Sequence, residues 1–228
     1  MPSAQQPPPG QEQEYPGRTA EMDPRPRDEM RDYQGRGLLA GTRALITGGD
    51  SGIGRAVAVA SAKEGANVAI AYLSQMEDED AAHTAELVKA AGQRCLTIRG
   101  DLAVEDNGER AVEQTVTELA GLDVLVNNVA PQEPVPDLAE LSTGQWERTF
   151  RVNMHSYFWT TRAALKHLPD KGVIINTSSI NGLRGNKTLI DYAATKGAVL
   201  ALPTPWPRPC RTAASGSTPS LPDQSGPR

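Results

Sequence analysis

The chain has 228 residues, with 23 Lys and Arg against 28 Asp and Glu, and a formal net charge of −5. This length accommodates one α/β domain with flanking tails, and the acidic balance argues against a nucleic-acid partner. No apolar run approaches the roughly 20 residues that span a bilayer, and two cysteines form no disulfide framework. We therefore expect a cytoplasmic protein with no membrane partner.

Residues 1–37 are rich in Pro, Gln, Gly and charged side chains, and aliphatic residues are almost absent before Leu38. Such a segment buries too little apolar surface to offset the entropy lost on ordering. A mobile or surface-wrapping tail is expected there. A sharper alternative has this tail packed against a neighbouring subunit.

From residue 43 onward, short apolar runs alternate with longer helical patterns. The predicted strands are 43–47, 67–72, 94–98, 123–126 and 172–177. The predicted helices are 53–64, 77–91, 107–120, 143–168 and 191–202. Regular alternation of Val- and Ile-rich strands with helices predicts an α/β fold with a doubly wound parallel sheet in three layers.

The first apolar run ends in a turn with glycines at 48, 49, 52 and 54, and a helix follows. A strand, a glycine turn and a helix N-terminus together form an anion site that suits a pyrophosphate. The spacing Thr47-Gly48-x-x-x-Gly52-x-Gly54 resembles the cofactor motif of the short-chain dehydrogenase/reductase family, which has a Rossmann-type fold. The resemblance implies that the dinucleotide is bound by Thr47, Gly48, Asp50, Ser51, Gly52, Ile53 and Gly54.

The end of the second strand indicates which nicotinamide cofactor is used, since an acid there binds the ribose 2′-hydroxyl of NAD. That position falls at Tyr72, which is not acidic, and Ser74 can donate to a 2′-phosphate. Ser51 stands where many NADP-preferring relatives carry a basic residue. We expect NADP(H) to be preferred weakly over NAD(H), with Arg55 either assisting or simply solvated.

Two further segments resemble family motifs. Asp101-Leu102 follows the third strand, where the resemblance implies a contact with adenine, although Asp after a strand also commonly caps a turn. Asn128-Val129-Ala130 ends the fourth strand and resembles the last three residues of the Asn-Asn-Ala-Gly motif beside the adenosine ribose. Its last two positions differ from that motif.

Tyr192 and Lys196 lie one helical turn apart and share a face. A phenol is a poor base at neutral pH, and a nearby ammonium favours its phenolate form. Ser179 lies upstream at the family's spacing, with Ser178 as the competing candidate, and Asn153 completes what resembles an Asn-Ser-Tyr-Lys tetrad. The resemblance implies that Tyr192 is the general acid/base and Ser179 binds the substrate oxygen. It implies that Lys196 holds the nicotinamide ribose and acts on Tyr192, and that Asn153 positions a water.

The pattern breaks after residue 202. Prolines at 203, 205, 207 and 209 end any helix, and a Ser/Pro/Gly-rich stretch follows to residue 228. A shifted reading frame permits the family's helix end, sixth strand and Pro-Gly motif, so we hypothesise a frameshift near codon 203. The expected organisation is a tail (1–37), a catalytic domain lacking its last two strands (38–202) and a non-native-looking tail (203–228).

These features predict a short-chain oxidoreductase that interconverts an alcohol and an aldehyde or ketone with NAD(P)(H), without a metal site. The Pro-rich N-terminal extension resembles a subgroup related to glucose and ribitol dehydrogenases. The family implies a homo-oligomer, commonly a tetramer. The alternative is a truncated, inactive remnant that at most binds the nucleotide, and weak or absent turnover is expected of the chain as written.

Overall fold

The computed structural model describes residues 13 and 15–202. Within them five strands form one parallel sheet in the order β3-β2-β1-β4-β5. The strands are β1 Arg43–Thr47, β2 Asn67–Tyr72, β3 Cys95–Arg99, β4 Val124–Asn127 and β5 Val173–Asn176. The predicted Rossmann-type α/β fold is confirmed, with strand ends within one residue of expectation. Residues 203–228, where the frameshift hypothesis falls, lie outside the described part.

Helices cover both faces of the sheet, because side chains along a strand point alternately to opposite faces. On one face Leu45 and Leu125 pack against α3 (Glu105–Leu119) and α5 (Ser156–Ala164). On the other, Ile46 packs against α1 (Gly52–Lys63) and α2 (Asp78–Ala90). The result is the three-layer arrangement that the sequence predicts.

The helix predicted at 143–168 is not continuous. The structure has α4 (Thr143–Phe150), a π-helical turn (Arg151–His155) and then α5, which ends at Ala164. Beyond Ala164 the N–H groups of Lys166 and His167 bond to carbonyls three residues earlier, as in a tightened last turn, and Pro169 disfavours helical backbone at Leu168. A short helix, α6 (Asn181–Arg184), was not predicted, and α7 (Ile190–Ala201) matches expectation within one residue. In the described part of the chain, no helix is both long and apolar enough to cross a membrane.

The described part of the N-terminal segment, residues 15–37, lies along α1 and α2. The Glu64 carboxylate after α1 accepts hydrogen bonds from the backbone N–H groups of Arg36 and Leu38, at 2.9 and 2.8 Å, and from the Tyr33 hydroxyl. Near the start of α2, the Asp80 carboxylate accepts from the Thr19 N–H at 3.0 Å. These contacts hold the described residues 15–37 against α1 and α2, and we call them the wrapping segment.

Arg55 is neither a solvated helix residue nor a residue of the cofactor cavity, which corrects both expectations. It is 1% exposed, and its guanidinium donates to Asp28 at 3.2 Å and to Asp80 at 2.7 Å. It also donates to the Asp50 carbonyl at 2.7 Å, while Asp28 accepts from the Gly52 N–H at 2.9 Å. Arg55 therefore joins the N-terminal segment, the glycine turn and α2.

Strand β5 pairs only with β4 within the described residues. Its side chains alternate, with Ile174 buried and Val173 and Ile175 about half exposed. Within the described residues, β5 is thus an edge strand with a half-exposed apolar face.

We expect Arg55→Ala to lower the free energy of unfolding by about 3–5 kcal/mol, because Asp28 and Asp80 would remain buried without their cation. Urea denaturation measures the loss. Arg162→Ala is the matched control, since Arg162 also contacts two carboxylates, Glu105 and Glu109, but is 44% exposed. Solvent screening makes its loss much smaller. Equal losses in the two variants would contradict this account.

Candidate functional site

A cavity of about 520 Å³ lies where the carboxyl ends of the strands meet. Its volume is in the range of small-ligand sites, roughly 300–1,000 Å³, and open parallel sheets bind ligands at this edge. The predicted site residues that line it are Gly48, Asp50, Ser51, Gly52, Ile53, Gly54, Tyr72, Asp101, Leu102, Asn128, Val129, Ala130, Ser179, Tyr192 and Lys196. Three others, Thr47, Ser74 and Asn153, are not among its lining residues.

The conformation and packing of the glycine turn favour glycine at two positions. Gly52 has a φ of +52°, a backbone conformation that residues with a Cβ rarely adopt. A Cβ on Gly54 would lie 1.7 Å from the Gly48 carbonyl oxygen, so the start of α1 packs directly on the turn. This bare backbone at a helix N-terminus fits a pyrophosphate group.

Thr47 supports the cavity from inside the fold. It is 1% exposed, and its hydroxyl oxygen accepts from the N–H groups of Asn128 and Val129, at 2.9 and 3.2 Å. The Asn128 amide donates in turn to the carbonyls of Thr47 and Gly48, each at 3.2 Å. These bonds tie the end of β4 to the end of β1, so Thr47 positions the lining residues rather than lining the cavity itself.

Tyr72 and Asp101 lie at the ends of β2 and β3. The Tyr72 hydroxyl donates to Asp78 at 2.8 Å, and burial together with this bond raises the pKa of Tyr72 to about 12. Asp101 accepts from the Arg148 guanidinium at 2.7 Å. The hydroxyl of Ser74, which was expected to donate to a phosphate, caps a short turn, where it accepts from the Met76 N–H at 3.3 Å.

Sequence reasoning missed several residues of the same end of the cavity. Tyr15, Glu77 and Arg148 line it. Burial raises the pKa of Tyr15, and the adjacent Arg148 guanidinium opposes that effect. The capping-box spacing of Ser74 and Glu77 is visible in the sequence and gives the position of Glu77. No sequence signal places Tyr15, because it reaches the cavity by tertiary packing.

Lys196 is 1% exposed, and its ammonium donates to the Thr177 carbonyl at 2.7 Å and to the Tyr157 hydroxyl at 3.1 Å. It lies 5.7 Å from the centroid of the Tyr192 ring. Burial lowers the pKa of Lys196 to about 8 and raises that of Tyr157. Tyr157, which the sequence did not point to, is therefore the phenol that contacts Lys196 directly.

The two serines after β5 have different partners. The Ser178 hydroxyl donates to the Lys196 carbonyl at 2.8 Å, so its proton is used within the fold. The Ser179 hydroxyl accepts from the Asn181 N–H at 3.2 Å. Because that bond leaves the Ser179 proton available, Ser179 is the serine that can donate to a ligand in the cavity.

Asn153 lies in the π-helical turn and is fully buried. Its amide nitrogen donates to the Pro131 carbonyl at 3.1 Å and to the Thr195 hydroxyl at 3.3 Å. Its Oδ1 has no hydrogen-bond partner among the described residues. A buried acceptor of this kind suits an ordered water, because unpaired polar groups in the interior are costly.

Comparison with known proteins gives a consistent result. The sequence model described as short chain dehydrogenase matches residues 42–208. General stress protein 39 of Bacillus subtilis is 51% identical over 186 residues, which cover 82% of this chain and 64% of that protein. Glucose and ribitol dehydrogenase of Daucus carota is 42% identical over 205 residues, covering 88% and 70%. The chain thus spans about two thirds of the length of these relatives.

The solved structures agree. A short chain dehydrogenase from Burkholderia cenocepacia, in complex with NADP, superposes with a TM-score of 0.69. It is 34% identical in sequence, and the match covers 72% of this chain and 66% of the other.

The Lys196 ammonium should titrate with a pKa near 8 rather than the ordinary 10.5. We would follow the ¹³Cε shift of labelled lysine against pH and assign the signal by its loss in Lys196→Met. Since the folded chain releases this proton at lower pH than the unfolded chain, wild type should gain stability relative to Lys196→Met as pH rises from about 8. A midpoint near the ordinary value would refute the effect of burial.

Proposed function

The chain belongs to the short-chain dehydrogenase family, and from this premise we propose that it interconverts an alcohol with an aldehyde or ketone, using NAD(P)(H) as hydride carrier. The observation that carries the proposal is the shared cavity. Tyr192, Ser179 and Lys196 line the same space as the glycine turn, so a bound nucleotide and a carbonyl group would lie beside the same side chains.

Proton transfer is assigned to Tyr192. Its phenol donates a proton to the carbonyl oxygen in reduction and accepts one from the alcohol in oxidation. The Lys196 ammonium lies 5.7 Å from the centroid of the Tyr192 ring, on the same side of the cavity as the phenol. With a pKa of about 8, Lys196 remains mainly an ammonium at neutral pH. The same ammonium is proposed to hold the nicotinamide ribose.

Ser179 and Asn153 complete the proposed set. The Ser179 hydroxyl, whose proton is not used in its bond to Asn181, donates a hydrogen bond to the substrate oxygen and orients it toward Tyr192. The Oδ1 of Asn153, which has no hydrogen-bond partner among the described residues, is proposed to hold a water that passes a proton from solvent to Tyr192 after Tyr192 has protonated the substrate. Bound NAD(P)(H) supplies or accepts the hydride.

NADP(H) is proposed as the preferred cofactor. Tyr72 places no acid at the end of β2, and the Burkholderia cenocepacia relative is described in complex with NADP. Glu77, however, lines the same part of the cavity and opposes a 2′-phosphate when it is charged.

The remaining predictions are drawn from the family and the composition. A homo-oligomer, commonly a tetramer in this family, and a cytoplasmic location are proposed. The substrate class is a small alcohol, aldehyde or ketone, and a polyol or sugar is the first to test because of the relative from Daucus carota.

Tyr192→Phe should reduce kcat by about 100-fold or more, because it removes the proton donor. The assay follows NADPH absorbance with a panel of aldehydes, ketones, sugars and polyols. Tyr157→Phe is the matched control, since it removes the same atom from the other phenol near Lys196, and its loss should be only several-fold. Nucleotide binding by wild type with no turnover would instead support the binding-only alternative.

Ser179→Ala and Ser178→Ala separate the two serines. We expect Ser179→Ala to lower kcat/KM by at least about tenfold, since a hydrogen bond to the reacting oxygen is lost. Ser178→Ala should cost less, because its hydroxyl is already bonded to the backbone of α7. A larger loss for Ser178→Ala would reverse the assignment.

A further inference from the structure

Glu77 lies between the end of β2 and the start of α2 and lines the large cavity. Its Oε2 accepts from the N–H of Leu73 at 2.9 Å and from the N–H of Ser74 at 3.2 Å. These are the first two backbone donors after β2, where the adenosine ribose binds in folds of this type. The Glu77 carboxyl group thus occupies two backbone donors at the edge of the cavity where the ribose 2′ position is expected.

The surroundings of Glu77 disfavour its charge. Asp50 in the glycine turn and Asp80 on α2 add negative charge, and Tyr15 of the N-terminal segment also lies near it. Burial, followed by the charge of Asp50, raises the pKa of Glu77 to about 7, although the two N–H groups oppose the shift. The side chain is therefore neutral below that pH and charged above it.

We propose that Glu77 determines the choice between NADP(H) and NAD(H), because its carboxylate holds the Leu73 and Ser74 amides and repels a 2′-phosphate. This rests on the function proposed above. A carboxylate accepts a hydrogen bond from the 2′-hydroxyl of NAD, whereas two anions at the same donors repel. The protein then prefers NADP(H) while Glu77 is protonated, and its preference shifts toward NAD(H) when Glu77 is charged.

The test uses dissociation constants of NADP⁺ and NAD⁺, measured by calorimetry on the 228-residue chain and on Glu77→Gln. Glutamine keeps an acceptor oxygen for the two amides and so preserves the cap, while the charge is removed. One pH unit above the Glu77 pKa of about 7, Glu77→Gln should bind NADP⁺ about tenfold more tightly than wild type and NAD⁺ no more tightly. One unit below, the two proteins should differ less than about twofold.

Glu118→Gln on the exposed side of α3 is the control for net charge and should leave both constants unchanged. The NADP⁺ affinity of wild type, divided by that of Glu77→Gln at the same pH, should fall as pH rises. This readout needs no turnover. The role of Glu77 would be overturned, with the proposed function intact, if Glu77→Gln bound both nucleotides more tightly by the same factor. The same would follow if the ratio of the two dissociation constants did not change. Binding of neither nucleotide would overturn the proposed function together with this role.

Discussion

The arrangement of the adenosine end depends on one buried cation. The Arg55 guanidinium contacts Asp28, Asp80 and the Asp50 carbonyl, which lie on three separate segments of the chain. Burying a charge is costly unless it is paired and fully hydrogen-bonded, so these three segments must remain together for the charge to be tolerated. Asp28 also caps the glycine turn through the Gly52 N–H. The wrapping segment, which brings Tyr15 to the cavity, is thereby anchored to the same cation as the turn proposed to hold the pyrophosphate.

The opposite end of the cavity depends on a second buried cation with a different environment. Within the part of the chain that the structure describes, the Lys196 ammonium donates to two neutral groups, the Thr177 carbonyl and the Tyr157 hydroxyl. Burial without a carboxylate partner lowers its pKa, while Arg55 keeps its charge because a guanidinium is always protonated in proteins. One end of the site is thus held by a permanent charge, and the other contains a charge that titrates close to neutral pH.

The sequence predicted the sheet well, since buried parallel strands are short apolar runs that glycine turns and amphipathic helices separate. It also predicted most residues that line the cavity, because the motifs at the ends of the strands are local in sequence. It did not predict Tyr15, Tyr157 or Arg148, which reach the site only through packing of segments distant in the chain. Thr47 and Asn153, which the sequence also pointed to, are buried beside the cavity and hydrogen-bond to the backbone of residues that line it. The spacing of residues in a motif does not determine the direction in which each side chain points.

The contacts of Arg55 have an evolutionary consequence. Loss of the guanidinium leaves two buried carboxylates without their cation, and loss of either carboxylate leaves part of the buried guanidinium without its partner, so a single substitution at position 28, 55 or 80 is disfavoured. Two positions must change together, or in close succession through a stabilised background, for the cluster to be replaced. We therefore expect these three positions to co-vary among relatives that carry the N-terminal segment.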